Sequence, residues 1–316
     1  MEKLPISVVI PTMNRAKDLE ETLESYMTAQ GVPMQIVVVD QSEEKEIQDK
    51  NRAVLEKYKA MVECLYLYQR EASSTKARNI GEKQCKYELV CYSDDDITVK
   101  KDTMINVYKL MNNTDISMIA GLNENSVKGN SKLGYLFARK SFIKRKIGHV
   151  TKSMFGRFPD GGIKDLVDTE WAMGFFFVIK KSYAAKWGVC FDERLTSYAY
   201  AEDLDYSYLY YKNSKKESKR CVMSPEVSVY HRASNEWRIP SKKSTMMLIL
   251  NREYLSYKHN MGISSQLAIR WANLGEVFLR LAQKSDWRTV IHAQKVCDKH
   301  RGSMKKGVLK REWYEE

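Results

Sequence analysis

Short apolar runs recur through the first 120 positions, each followed by a longer stretch with apolar residues at helical spacing. Ile6–Ile10 stops at Pro11 and precedes an amphipathic stretch from Arg15 to Ala29. Ile36–Val39 ends at Asp40 and precedes a charged helical segment, Glu43–Lys59. Glu63–Tyr68 precedes Ser73–Cys85, where Ser73 or Ser74 can cap a helix. Leu89–Tyr92 runs into Asp94-Asp95-Asp96, then a helix over Lys101–Met111 and a strand over Ile116–Ala120. Continuous apolar strands separated by helices predict a mostly parallel sheet covered on both faces, a doubly wound α/β fold.

The rhythm breaks after Gly121. Asn123–Asp168 is irregular, glycine-containing and basic, which predicts a lid or binding region. A strand-like block, Trp171–Ile179, a helix from Glu202 to Lys212 and a strand Val222–Tyr230 follow. Beyond Pro240 the pattern is helical, over roughly 242–260, 264–283 and 286–300.

Charge sharpens this division. The chain of 316 residues carries a net +12, and residues 240–316 hold fifteen Lys/Arg against seven Asp/Glu. A basic excess suits nucleic acid, an anionic membrane or a phosphorylated substrate. Trp271, Leu274, Val277, Phe278 and Leu281 recur at helical spacing, so this region either lies on a membrane interface or packs on the domain or a sister subunit. The first residues have no signal-peptide pattern, and no apolar run approaches the roughly 20 residues of a membrane span. Six cysteines without a C-x-x-C pair read as reduced thiols, so a cytoplasmic protein is expected.

In open α/β sheets ligands lie beyond the carboxyl ends of the strands. Pro11-Thr12, Asp40 and Asp94-Asp95-Asp96 should therefore converge on one crevice. Asp40 serves either there or as the cap of its own turn. Three adjacent carboxylates repel unless a cation or a set of donors offsets them, and hard oxygen ligands favour Mg²⁺ or Mn²⁺.

Together these segments resemble the family 2 inverting glycosyltransferases of GT-A fold, of the bacterial surface-polysaccharide type. SVVIPTMNR is similar to the family's first strand and loop, and IVVVDQS to its second, with Gln41 where the family usually has Gly. Lys76-Ala77-Arg78-Asn79-Ile80-Gly81 is similar to the segment before the metal motif, and Tyr92-Ser93-Asp94-Asp95-Asp96 to the D-x-D motif. The resemblance implies a nucleotide-sugar donor, UDP foremost, held by Pro11, Thr12, Asn14, Arg15, Asp40, Arg78, Asp94 and Asp95. Asp40 would meet the nucleobase, Asp94 the ribose, and Asp96 the metal, with His231 of Tyr230-His231-Arg232 completing the metal shell. Ala201-Glu202-Asp203 is similar to the family's E-D motif, which makes Asp203 the general base, with Glu202 and Asp205 as competitors. Arg15, Arg78 and Arg232 would steady the departing diphosphate.

The implied layout is a catalytic domain over 1–239, with a donor half 1–122 and a lid and acceptor half 123–239, then a basic helical region over 240–316. The implied acceptor is a glycan or lipid-linked hydroxyl, and a homo-oligomer is compatible. Gly174 either lets the backbone approach the sugar or bends a buried strand, and Trp171 stacks on a sugar or lies in the core. A rival reading takes Asp94-x-Asp96-x-Thr98 as the start of a haloacid-dehalogenase-like phosphatase. No recognisable nucleic-acid module accompanies the basic charge, so nucleic acid is the weakest partner.

Overall fold

A computed structural model describes residues 2–125, 147–159, 162–196, 200–232 and 241–316. Strands β1 (Glu2–Thr12), β2 (Gly31–Asp40), β3 (Glu63–Tyr68) and β4 (Leu89–Ser93) form a parallel half-sheet in the order β3-β2-β1-β4. Helices α1 (Ala16–Thr28), α2 (Lys45–Glu56) and α3 (Ser74–Lys83) connect them. The expected Ser73 cap is present: its hydroxyl accepts from the Lys76 amide.

Alternation within β1 assigns the two faces. Leu4, Ile6, Val8 and Ile10 pack with α1, α2 and α4 (Thr103–Met111), whereas Val9 packs on the opposite side. There, Val37 and Val39 meet Ala77 of α3. Both faces are buried, which is why the strands read as unbroken apolar runs.

The second half of the sheet departs from the parallel expectation. The segment Trp171–Ile179 becomes strand only at β8 (Phe176–Lys180), and β8 runs antiparallel between β4 and β6 (Ile116–Asn123). Two short strands lay below the periodicity signal. One is β5 (Ile97–Val99), antiparallel to β9 (Arg220–His231); the other is β7 (Val167–Asp168), also on β9. Helix α5 (Lys181–Trp187), ended by Gly188 at φ 62°, lies between the strand-like block and the helix at Glu202 and has no counterpart in the sequence reading. Helix α6 (Glu202–Lys216) then covers the sheet with Tyr206 and Tyr210.

The helical region is α7 (Ser241–Lys258), α8 (Ile263–Ala282), α9 (Arg288–Lys305) and a final turn, Arg311–Tyr314. Helix α7 is buried between α9 and the catalytic half, sharing a core with Trp171, Leu195 and Leu204. Polar links reinforce this: Lys258 and His259 bond Asp205 at 2.6 and 2.8 Å, and Tyr254 donates to Asp192 at 2.8 Å. The six cysteines form no disulfide. Most of the basic lid residues (Lys128, Lys132, Arg139, Lys140, Lys144, Arg145 and Lys146) lie outside the described residues.

Candidate active site

The carboxyl ends of β1, β2 and β4 do converge. Thr12 lies beside Asp40 in register, and the Thr12 hydroxyl donates to Asp95 Oδ2 at 2.6 Å. Pro11 is a β1 residue opposite Val39. Arg15 precedes α1 and reaches Asp95 at 3.3 Å and Asp96 at 3.7 Å. Asn14 adopts φ 60°, donates its amide to Ser42 Oγ at 2.8 Å, and leaves its buried Oδ1 without a partner.

Asp40 is fully buried. Its carboxylate accepts from the Ser42 amide at 2.8 Å, Asn51 at 2.9 Å and Tyr66 at 2.6 Å. The turn-capping alternative is thus present in the molecule, whatever else Asp40 does.

The three acidic neighbours separate in space. Asp95 turns toward Thr12 and Arg15, and burial pushes it up to about 7 against the pull of both. Asp94 and Asp96 meet His231 at the end of β9, with Asp96 also 3.7 Å from Arg15. One ligand atom from each of the three lies within 4.8 Å of the others. His231 Nε2 is 3.1 Å from Asp96 Oδ1, and its ring stacks on Phe175 with centroids 5.2 Å apart. Burial opposes charge on His231, but the bond to Asp96 and the nearby Asp94 outweigh it. Two carboxylates and an imidazole at this spacing fit a small divalent cation. Asp94 belongs to this cluster, beyond the ribose role implied for it.

Glu202 and Asp203 open α6 from Ala201, which is held in the left-handed region at φ 70°. That conformation costs a non-glycine residue about 1–2 kcal/mol. Asp203 Oδ2 accepts from the Gly174 amide at 2.8 Å and Oδ1 from the Leu204 amide at 2.7 Å. Burial raises its pKa, and these two amides moderate the shift. Glu202 is pushed up to about 8 by burial and by Asp203, against the charge of Arg78.

Arg78, buried, joins the two halves. One end of its guanidinium donates to Glu202 at 2.6 Å, and the other to Asp94 at 3.0 Å and to the Gly174 carbonyl at 3.3 Å. Burial opposes its charge, but Glu202 and Asp94 dominate and keep it protonated.

Other expectations are revised. Asp205 is no candidate base: it is fully buried against Lys258 and His259. The Arg232 guanidinium braces β5 on α1, donating to the carbonyls of Ile97, Asp18 and Asp95 and to Thr98 and Thr22. Trp171 is a core residue, edge-on to Phe158, with Gly156 against its ring. Gly174 lies buried in the turn before β8, where its amide moors Asp203. Its signal in the sequence was only a glycine before an aromatic run.

Similarity to known proteins agrees with this geometry. The glycosyl transferase family 2 model matches residues 7–180. The chain is 24% identical over 144 residues to poly(ribitol-phosphate) beta-N-acetylglucosaminyltransferase TarP of Staphylococcus aureus, covering 45% of this chain and 43% of that protein. It thus spans under half of the curated relative. Among solved structures, a TarS fragment from S. aureus in complex with UDP-GlcNAc superposes with a TM-score of 0.53 at 13% identity, covering 96% of this chain and 92% of that one. Mannosyltransferase PcManGT from Pyrobaculum calidifontis, in complex with GDP-Man and Mn²⁺, gives 0.54 at 13% identity, covering 96% and 83%. These likenesses establish a GT-A fold, and the phosphatase alternative is not favoured. With more than half of its length matched, from the first strand through β8, the chain belongs to glycosyl transferase family 2.

Proposed function

We propose that the protein is a metal-dependent, inverting transferase that moves a sugar from UDP to a hydroxyl of a polyol-phosphate or related surface polymer. One observation carries the reading: Arg78 links Asp94 of the Asp94–Asp96–His231 cluster to Glu202 and to the Gly174 carbonyl, and the Gly174 amide holds Asp203. In this reading a site for the donor diphosphate lies beside a carboxylate able to accept a proton. The donor class is supported by TarS with UDP-GlcNAc, and the acceptor class by the name of TarP. The unpartnered Asn14 Oδ1 supports a ligand donor at the base of the crevice.

In this reading Asp203 takes the acceptor hydroxyl's proton as that oxygen bonds to the anomeric carbon. The bond from that carbon to the diphosphate oxygen breaks on the opposite face, so a single displacement inverts the centre. The amides of Gly174 and Leu204 aim the carboxylate. Arg78 keeps Glu202 and Asp94 apart from it and offsets their charge. A divalent cation bound at Asp94, Asp96 and His231 would stabilise the nucleoside diphosphate as it leaves. The imidazole in the set favours Mn²⁺ over Mg²⁺. Such a reaction belongs in the cytoplasm, at the inner face of the cell membrane where surface polymers are assembled.

Thermal unfolding with UDP, GDP and dTDP, each with and without Mn²⁺, tests this. A ligand at a hundred times its Kd stabilises the fold by about 2.7 kcal/mol. UDP with Mn²⁺ should give the largest shift, and Asp96→Ala should remove the Mn²⁺-dependent part. Equal shifts with and without Mn²⁺ in the unmodified protein would overturn the metal role.

A further inference from the structure

Helix α8 packs inward mostly through small residues, together with Ile269 and Asn273. Ser265, Ala268, Ala272 and Gly275 are buried. The opposite face exposes an apolar row, Ile263, Leu267, Leu274 and Leu281, in steps of four, seven and seven residues. Ile263 is 76% exposed and Leu267 62%, with Leu274 and Leu281 each above 40%. The helix is 20 residues long, so the row extends over ~30 Å. An ordinary surface helix turns such a row toward the core. Contiguous exposed apolar surface of this kind marks an interaction site.

The neighbouring charge says what it meets. Helix α9 lies alongside: Asn273 donates to Gln294 at 2.7 Å, and Arg270, at the edge of the row, pairs with Asp298 on the exposed side of α9. On the connecting turn and that exposed side stand Lys284, Arg288 and Lys295. None of these three forms an ion pair with another described residue. No helix among the described residues is long and apolar enough to cross a membrane, so any lipid contact here is lateral.

We propose that the outer faces of α8 and α9 dock on an anionic lipid surface. The apolar row enters the boundary between headgroups and acyl chains, and the cations meet lipid phosphates. Contact with a second copy through the same face would bring two basic flanks together, whereas an anionic membrane neutralises them. The inference does not depend on the catalytic reading.

Co-sedimentation of the full chain with vesicles tests it, using phosphatidylcholine alone or mixed with an equal part of phosphatidylglycerol. Binding is expected only to the mixed vesicles and should weaken as salt rises. The double variant Leu267→Glu, Leu274→Glu should lower the partition coefficient at least about tenfold. Arg288→Ala and Lys295→Ala should each lower it about fivefold. All variants should keep the melting temperature and UDP binding of the parent, since every substituted side chain is exposed. The proposal falls if the parent ignores the mixed vesicles, or if the leucine variant binds them equally well. It also falls if sedimentation velocity shows an oligomer that the leucine variant dissociates while neither protein binds lipid; the row would then be a self-association face.

Discussion

The backbone amide of Gly174 donates to Oδ2 of Asp203 at 2.8 Å, linking the turn that leads into β8 to the first turn of α6. A Cβ at position 174 would lie 3.2 Å from Arg78 Nη2 and 3.3 Å from Asp203 Cβ. Gly174→Ala must therefore push the carboxylate or the guanidinium aside by a few tenths of an ångström. We expect kcat to fall at least about tenfold with donor affinity nearly unchanged, because misplacement near the reacting atoms is costly. Steady-state transfer kinetics beside donor titration would check it.

Asp203→Asn keeps the shape of the site and removes the proton acceptor. Transfer should drop by about 10²–10⁴, with UDP binding retained. The pH profile supplies a second reading. A base works as its anion, and burial raises the Asp203 pKa above the ordinary carboxylate range. The anionic fraction thus falls as pH drops through a value above that of a free Asp, about 3.9. The acid limb of kcat should lie above that point and be absent from the residual activity of the Asn variant.

Arg78→Met leaves Glu202 and Asp94 without their shared cation. Breaking a buried pair in this way costs about 3–5 kcal/mol, which urea unfolding would register. Arg78→Lys should recover part of the stability but little of the activity. A single ammonium does not reproduce the forked reach to Glu202 at 2.6 Å and Asp94 at 3.0 Å.

Asp205→Asn separates the two acidic residues of the α6 turn. It weakens the links to Lys258 and His259 that hold α7 on the catalytic half. The melting temperature should fall by several degrees, while kcat below the unfolding transition stays within about twofold. A loss of transfer comparable to that of Asp203→Asn would reopen the choice of base.

His231→Ala tests the metal cluster from its non-acidic side. In Mn²⁺ the apparent donor affinity should weaken about tenfold or more, as for loss of one ligand; in EDTA the variant and the parent should bind UDP alike. Equal losses in both media would make His231 a packing residue on Phe175. Titration calorimetry in the two media distinguishes these outcomes.

The apolar runs at β1, β2 and β4 were legible along the chain because burial on both faces writes hydrophobicity into every position. Ser73 and the acidic first turn of α6 were legible for local reasons, since caps act within one turn of their own helix. The D-x-D and E-D segments lie at the end of β4 and the start of α6. Which carboxylate did what was another matter. Asp94, Asp95 and Asp96 are equivalent as letters, yet the end of β4 sends Asp95 to Thr12 and the other two to His231, 135 or more residues away in the chain. Asp203 and Asp205 are likewise equivalent until α7 arrives to claim one of them.

Composition and periodicity also fixed the existence of a basic, amphipathic helical tail, but not its orientation. Helical spacing defines an apolar face without saying whether it turns inward. Packing of α8 through Ser265, Ala268, Ile269, Ala272, Asn273 and Gly275 leaves Ile263, Leu267, Leu274 and Leu281 outside. Local periodicity therefore decided the elements and their candidate chemistry. Long-range contacts decided which side chains meet, and which apolar side chains of the tail stay exposed.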